Sequence, residues 1–305
     1  MAKKVRFIYN PYSGENKILS SLDFVIHSYQ KKGFQIEPFR LANDTTVDNA
    51  LHGINSEEYH HILISGGDGT VNEIVNGVMR LGIKTPLAIL PGGTANDFAH
   101  ILGYGSSIKK ACIEILSGEQ TAVDLGVVNG KYFVNVLSAG LFTEISQKTP
   151  TKFKNTFGKL AYYVSTVGEL PNFRKIHLRI DSKDIVYDDN CLIIFVFNGR
   201  TAGNVRIAYQ SNLHDGLLDV LVVKGENIVE TISTAFHFFT RMSNDYPRGV
   251  VHFKTNKLLV RSDDEISVDI DGELGPKLPL EVSCIEQGLN VIVGKAYKFK
   301  KSTTH

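Results

Sequence analysis

The stretch SGGDGTVNEIVNGV, Ser65 to Val78, constrains the fold more than any other part of the chain. It follows an apolar strand-like run, places Gly66, Gly67 and Gly69 around Asp68, and then repeats Val71, Ile74, Val75, Val78 and Leu81 at helical spacing. Thr70 and Glu73, three residues apart, read as a capping box at the start of that helix. Glycines after a parallel strand permit a tight turn and close backbone approach. The helix that follows offers unpaired N–H groups and the positive end of its dipole, for which phosphate is the natural occupant.

The same unit recurs. VRFIYN runs into NPYSG (Asn10 to Gly14), and PLAILPGG into PGGTANDFAHIL, where Thr94 and Asp97 are spaced as another capping pair. From residue 5 to about 120, short apolar runs alternate with helical stretches, which predicts a parallel sheet covered by helices. Three such loops at the carboxyl ends of strands converge on the crevice where open α/β sheets bind ligands. They are neither a Walker A loop, which needs a lysine after GxxxxG, nor a dinucleotide fingerprint, because Asn72 stands where the last glycine belongs. Asp68 among phosphate-binding amides would repel an anion unless a cation lay between, and Mg²⁺ held through carboxylate, water and phosphate meets that need. The alternative is an aspartate that only shapes an Asp-Gly turn.

After about Val123 the texture changes. VDLGVVNGKYFVNVL is two strand-like runs around Asn129-Gly130, the dipeptide of type I′ hairpins. Further strands are expected at KIHLRI, CLIIFVF, LLDVLVV, VVHFKT, KLLVRS, EISVDID, LEVSC and LNVIV, with helices near 154–170 and 227–242, so the second half reads as sandwich-like. The expected division is 1–123 as an α/β nucleotide-binding domain and 124–291 as a β-rich domain, with the tail 292–305 free to pack back on the first. In ISVDIDGE, strand alternation would put Asp269, Asp271 and Glu273 on one face. A net charge of +1 from 33 basic and 32 acidic residues argues against nucleic acid. Cys112, Cys191 and Cys284 form no CxxC pair and read as reduced core thiols, and the ten histidines show no ligand spacing. The start MAKKVRFIYNP lacks the apolar stretch of a signal peptide and no run approaches a membrane span, so a cytoplasmic protein is expected.

Taken in order and spacing, NPYSG, GGDGTVNEIVNG, PGGTANDFA, HDGLLDV and DGELGPKLP resemble the diacylglycerol kinase catalytic family, within it the YegS/BmrU-type bacterial soluble lipid kinases. The resemblance implies a Rossmann-like α/β domain that binds ATP, a β-sandwich-like domain, and an active site in the cleft between them. The implied reaction is ATP- and Mg²⁺-dependent phosphorylation of a lipid hydroxyl, diacylglycerol in the best-known relatives. Carried over by position, the nucleotide site falls on Asn10, Ser13, Gly14, Gly66, Gly67, Asp68, Gly69, Thr70, Val71, Asn72 and Thr94. Asp68 organises catalytic Mg²⁺, Glu273 is the general base, and a second, structural metal falls on Asn212, Asp215 and Leu217.

The stretch FRLANDTTVDNA departs from the relatives' pattern at the end of the second strand, so no nucleotide contact is named there. Phe236, Phe238, Phe239 and Met242 could line an acyl pocket or be core, and Lys295, Lys298, Lys300 and Lys301 could touch anionic lipid or water. The expected partner is a lipid at the membrane surface, met by peripheral contact, with a homodimer possible. Two competing functions are an NAD kinase, which shares GGDGT, and a catalytically silent nucleotide- or lipid-binding regulator.

Overall fold

The computed structural model describes residues 3–140, 175–199, 201–202, 205–206, 208, 211–224, 246 and 249–297. The expected helices near 154–170 and 227–242, the residues Phe236, Phe238, Phe239 and Met242, and the lysines at 298, 300 and 301 lie outside them. The chain divides into two compact units, Met1–Val123 with Gln287–His305, and Asp124–Glu286.

The first unit alternates strand and helix: β1 (Lys4–Tyr9), α1 (Leu22–Lys31), β2 (Gln35–Arg40), α2 (Val47–Leu51), β3 (Tyr59–Gly66), α3 (Asp68–Arg80), β4 (Leu87–Pro91), α4 (Asp97–Ile101) and α5 (Ile108–Leu116). The strands lie parallel in the order β2-β1-β3-β4. β3 and β4 are covered on both faces, which is why ILIS and LAIL read as continuous apolar runs with no alternation. α3 buries Val71, Ile74, Val75 and Val78, as its spacing predicts, whereas Leu81 is the exposed residue that ends it. Residues returning from the far end of the chain close this unit: Val291 pairs parallel with Leu87, Gly294 N–H donates to the Leu102 carbonyl at 2.8 Å, and Asn290 Nδ2 donates to the Lys84 carbonyl at 3.1 Å.

Chain order then gives β5 (Glu119–Val128), β6 (Lys131–Phe133), β7 (Val136–Gly140), β8 (Ile176–Ser182), β9 (Val186–Cys191), β10 (Ile193–Phe197), the short β11 (Thr201–Ala202) and β12 (Val205–Arg206), β13 (Leu218–Val223), β14 (Val250–Thr255), β15 (Lys257–Arg261), β16 (Val268–Ile270), β17 (Glu273–Leu274) and β18 (Leu280–Val293). In the second unit, β14-β13-β10-β7-β16-β17 form one antiparallel sheet. β9, β8, β15 and the first residues of β18 form another antiparallel ladder. A core that includes Leu137, Ile194, Val196, Val220, Leu178, Val260 and Val282 lies between them, so the sandwich is the observed fold. The Asn129-Gly130 turn has φ of +45° and +81°, the type I′ values its dipeptide predicts. LEVSC and LNVIV, expected as two strands, run on as the single strand β18.

Both expected capping boxes are corrected. α3 starts at Asp68 with Gly67 at its N-cap, two residues before Thr70, and α4 starts at Asp97 with Asn96 at its N-cap in the left-handed region, φ +53°. Neither start has a side-chain cap hydrogen bond; the loops are shaped by contacts with other loops, which outweigh local capping. Among the described residues no helix is long and apolar enough to cross a membrane. Burial pushes the Cys112 thiol up to about 11 and that of Cys191 up to about 12, so neither is a thiolate near neutrality.

One buried group gives the first unit a pH dependence. His61 on β3 is 1% exposed, its Nε2 lies 2.9 Å from Tyr29 Oη, and its Nδ1 lies 2.8 Å from Nδ1 of His60. Burial, with the neighbouring His60, pulls its pKa down to about 3 from 6.5; His60 is lowered too, by burial and then by Lys3. Below pH 6.5 the unfolded chain therefore takes up a proton that folded His61 refuses until about pH 3, and stability falls with pH across that window. One such group contributes at most about 1.4 kcal/mol per pH unit. Melting temperature measured from pH 7 to 4 should fall, and His61→Gln, neutral throughout, should flatten the curve; an unchanged slope would place the proton uptake elsewhere.

Candidate active site

Parallel strands end side by side, and here β1, β3 and β4 deliver three loops to one end of the first unit's sheet. Their backbones interlock. A Cβ on Gly14, at φ +51°, would stand 2.3 Å from the Gly92 carbonyl oxygen; one on Gly92 would stand 2.8 Å from Gly66 N, and one on Gly93 2.5 Å from Gly67 Cα. Those glycines are needed where loop meets loop. Gly67 differs, since a Cβ there would find nothing nearer than 3.7 Å and its φ is −80°.

Side chains stitch the loops further. Asn10 Nδ2 donates to Thr70 Oγ1 at 3.1 Å, and Gly67 N–H donates to Ser13 Oγ at 3.2 Å. Asn96 folds onto its own loop, accepting from Gly93 N–H at 2.6 Å and donating to the Gly93 carbonyl at 2.9 Å. Asp68 bridges loops: its Oδ2 accepts from Asn96 N–H at 3.1 Å and its Oδ1 from Asp97 N–H at 2.9 Å. Of the residues carried over by resemblance, Asn10, Ser13, Gly14, Gly66, Gly67, Asp68, Gly69, Thr70, Val71 and Asn72 thus lie on two interlocked loops and the first turn of α3. Val71 is buried at 3% exposure and points into the core, and Thr94 is exposed.

In the second unit the DGE element is a hairpin whose Asp271 and Gly272 have φ of +50° and +93°. The positive-φ turn breaks the strand alternation, which corrects the expectation that Asp269, Asp271 and Glu273 share a face. Glu273 pairs with Ile270 and Leu274 with Asp269, so Glu273 and Asp269 lie on opposite faces. Glu273 is exposed. Asp269 Oδ1 accepts from Gly272 N–H at 2.8 Å, and buried Asp271 is bonded to backbone amides.

The residues proposed for a second metal sit in the loop before β13. Asp215 Oδ1 accepts from Leu217 N–H at 3.2 Å, while Lys254 Nζ lies 2.9 Å from Asp215 Oδ2 and 3.3 Å from Oδ2 of fully buried Asp219. Burial alone would lower Lys254, but Asp219 and Asp215 outweigh it and hold its pKa above the ordinary value. Reading the sequence missed one buried aspartate here and took another, in the first unit, only for a capping residue. Asp124, 1% exposed, accepts from Gly216 N–H at 2.8 Å, and Asp97 is buried beside Asp68. A lone aspartate in the apolar run TAVDLGVV was the available signal for the first, because a carboxylate is rarely buried without a partner.

Known proteins match this arrangement along nearly the whole chain. Residues 4–128 match the family model of the diacylglycerol kinase catalytic domain, and residues 135–293 that of the YegS C-terminal NAD kinase beta sandwich-like domain. A diacylglycerol kinase of Bacillus subtilis (strain 168) is 30% identical, covering 96% of this chain and 97% of that protein. One of Staphylococcus aureus (strain MRSA252) is 30% identical over 95% of this chain and 92% of the relative. A crystal structure of a diacylglycerol kinase from Bacillus anthracis str. Sterne superposes with a TM-score of 0.81 at 26% identity, covering 96% of this chain and 98% of that one. Fold and matches together define a kinase with an alcohol acceptor. The chain belongs to the diacylglycerol kinase catalytic family.

The glycine contacts make a discriminating prediction. Gly93→Ala should lower the melting temperature, because overpacking against backbone typically costs about 1–3 kcal/mol, whereas Gly67→Ala should melt within a degree or two of the wild type. Equal melting temperatures for the two variants would remove the close loop contact from the account.

Proposed function

We propose that the chain transfers the γ-phosphoryl group of ATP, with Mg²⁺, to the hydroxyl of a membrane lipid, diacylglycerol in the first instance, giving phosphatidic acid. The observation that carries this reading is the set of glycine loops locked together around the Asp68 carboxylate at the carboxyl ends of β1, β3 and β4, in a member of this family. The relatives named for diacylglycerol support that acceptor.

Each residue has a role in the reading. The amides of the first turn of α3 cradle phosphate, with the helix dipole behind them. Asp68 is partly exposed, and its hard oxygen donors fit Mg²⁺ held through water, with two backbone amides keeping the carboxylate in place. The metal, when bound, neutralises charge on the transferring phosphoryl group. Glu273 takes the proton from the acceptor hydroxyl as its oxygen attacks phosphorus. For a structural Mg²⁺ on Asn212, Asp215 and Leu217 the fit is poor while Lys254 occupies Asp215 Oδ2.

Asp68→Asn should keep the fold and lower turnover by orders of magnitude at saturating Mg²⁺; near-wild-type turnover would end this role for Asp68. Glu273→Gln should lower kcat by about 10²- to 10⁴-fold with nucleotide affinity almost unchanged. The acceptor is tested with labelled ATP against diacylglycerol vesicles and against NAD. Label in NAD alone would select the NAD kinase reading, and label in neither acceptor, with ATP bound, the silent regulator.

A further inference from the structure

We propose that Asp271 is the positioning residue of the acceptor side: its carboxylate holds the hairpin turn that presents Glu273. The inference rests on the reading of Glu273 as base, and its evidence is independent of that reading. β17, which carries Glu273, is two residues long and, among the described residues, lies at the edge of its sheet beside β16. An edge strand of that length cannot hold a side chain to the tolerance that proton transfer requires, about 0.5 Å, without outside support.

Asp271 supplies the support. Its Oδ2 accepts from Val134 N–H at 2.8 Å, and its Oδ1 from Asn135 N–H at 3.0 Å and Val136 N–H at 2.9 Å, while its own N–H donates to the Val136 carbonyl at 2.9 Å. The side chain is 9% exposed, so these charge-assisted bonds compete little with water. The segment it grips is itself held, because the Asn135 carbonyl accepts from Asn198 N–H at 2.9 Å and from Gly199 N–H at 3.0 Å. The left-handed conformation of Asp271 lets the carboxylate reach back to these amides while the chain reverses, and Glu273 emerges two residues later. With its oxygens bonded to backbone, buried Asp271 is a poor candidate for proton transfer to a lipid; it works through Glu273.

The test is a double-mutant cycle read in kcat, nucleotide Kd and melting temperature. Asp271→Ala in the wild type should lower kcat roughly 10²-fold, the loss expected from a misplacement of about 1 Å, and leave the Kd for Mg·ATP within about twofold. In Glu273→Gln the same change should leave kcat where it was, yet lower the melting temperature as much as before, because no base remains to misplace. Asp271→Asn, which keeps one amide oxygen as acceptor, should fall between, and serves if the alanine variant does not fold. An equal loss of kcat in both backgrounds, or a weakened Kd with kcat intact, would overturn the proposal. Wild-type turnover in Glu273→Gln alone would overturn the base reading and the positioning with it, before Asp271 is touched.

Discussion

The Asp68 carboxylate is the tie on which the first unit's functional end depends. A carboxylate accepting backbone N–H from the next loop links the N-terminus of α3 to the residues that open α4, and the glycines allow the backbones to come close enough for it to reach. Charge-assisted bonds of this kind are short and directional, so the loops have one way to sit together. The arrangement leaves Gly67, Asp68 and Gly69 partly exposed at the start of α3, with Gly67 N–H bonded to Ser13 Oγ. Anion-binding donors and a hard cation ligand in one place are what a metal-bound phosphate requires.

The second unit uses the same device for another end. Asp271 and Asp124 are both nearly buried carboxylates whose oxygens accept backbone amides, and each fixes a turn: the DGE hairpin in one case, the His214 to Leu217 turn in the other. Lys254 adds the complementary case, a cation on two aspartates. A β-sandwich is rigid at its centre and variable at its turns. Buried carboxylates extend the rigidity outward to these turns.

Much of this was legible in the order of residues because it is local. Apolar periodicity gave α3, continuous apolar runs gave the covered strands β3 and β4, and Asn129-Gly130 gave its turn. What was misread is non-local. Thr70 looks like a helix cap until Asn10, distant in sequence, takes its hydroxyl. Asp271 looks like one more residue of an alternating strand until three amides at 134–136 draw it into a left-handed turn and reverse the face on which Glu273 stands. Asp97 was seen as half of a capping pair, and its partnership with Asp68 depends on β3 and β4 being neighbours.

The strand that closes the first unit comes from its far end in sequence. Val291 lies beside Leu87, and Gly294 bonds the Leu102 carbonyl, so the β4 edge waits for residues some two hundred positions later. During synthesis at about 5–20 residues per second, the N-terminal unit spends on the order of ten seconds or more with that apolar edge unpaired while the sandwich is still being made. The first unit's sheet can therefore be complete only after the chain of the second unit has been made, and no shortened product ending within the sandwich can bring Val291 to Leu87. The order of assembly is written into the connectivity, and the interval is the period in which this protein is most open to aggregation through an exposed strand.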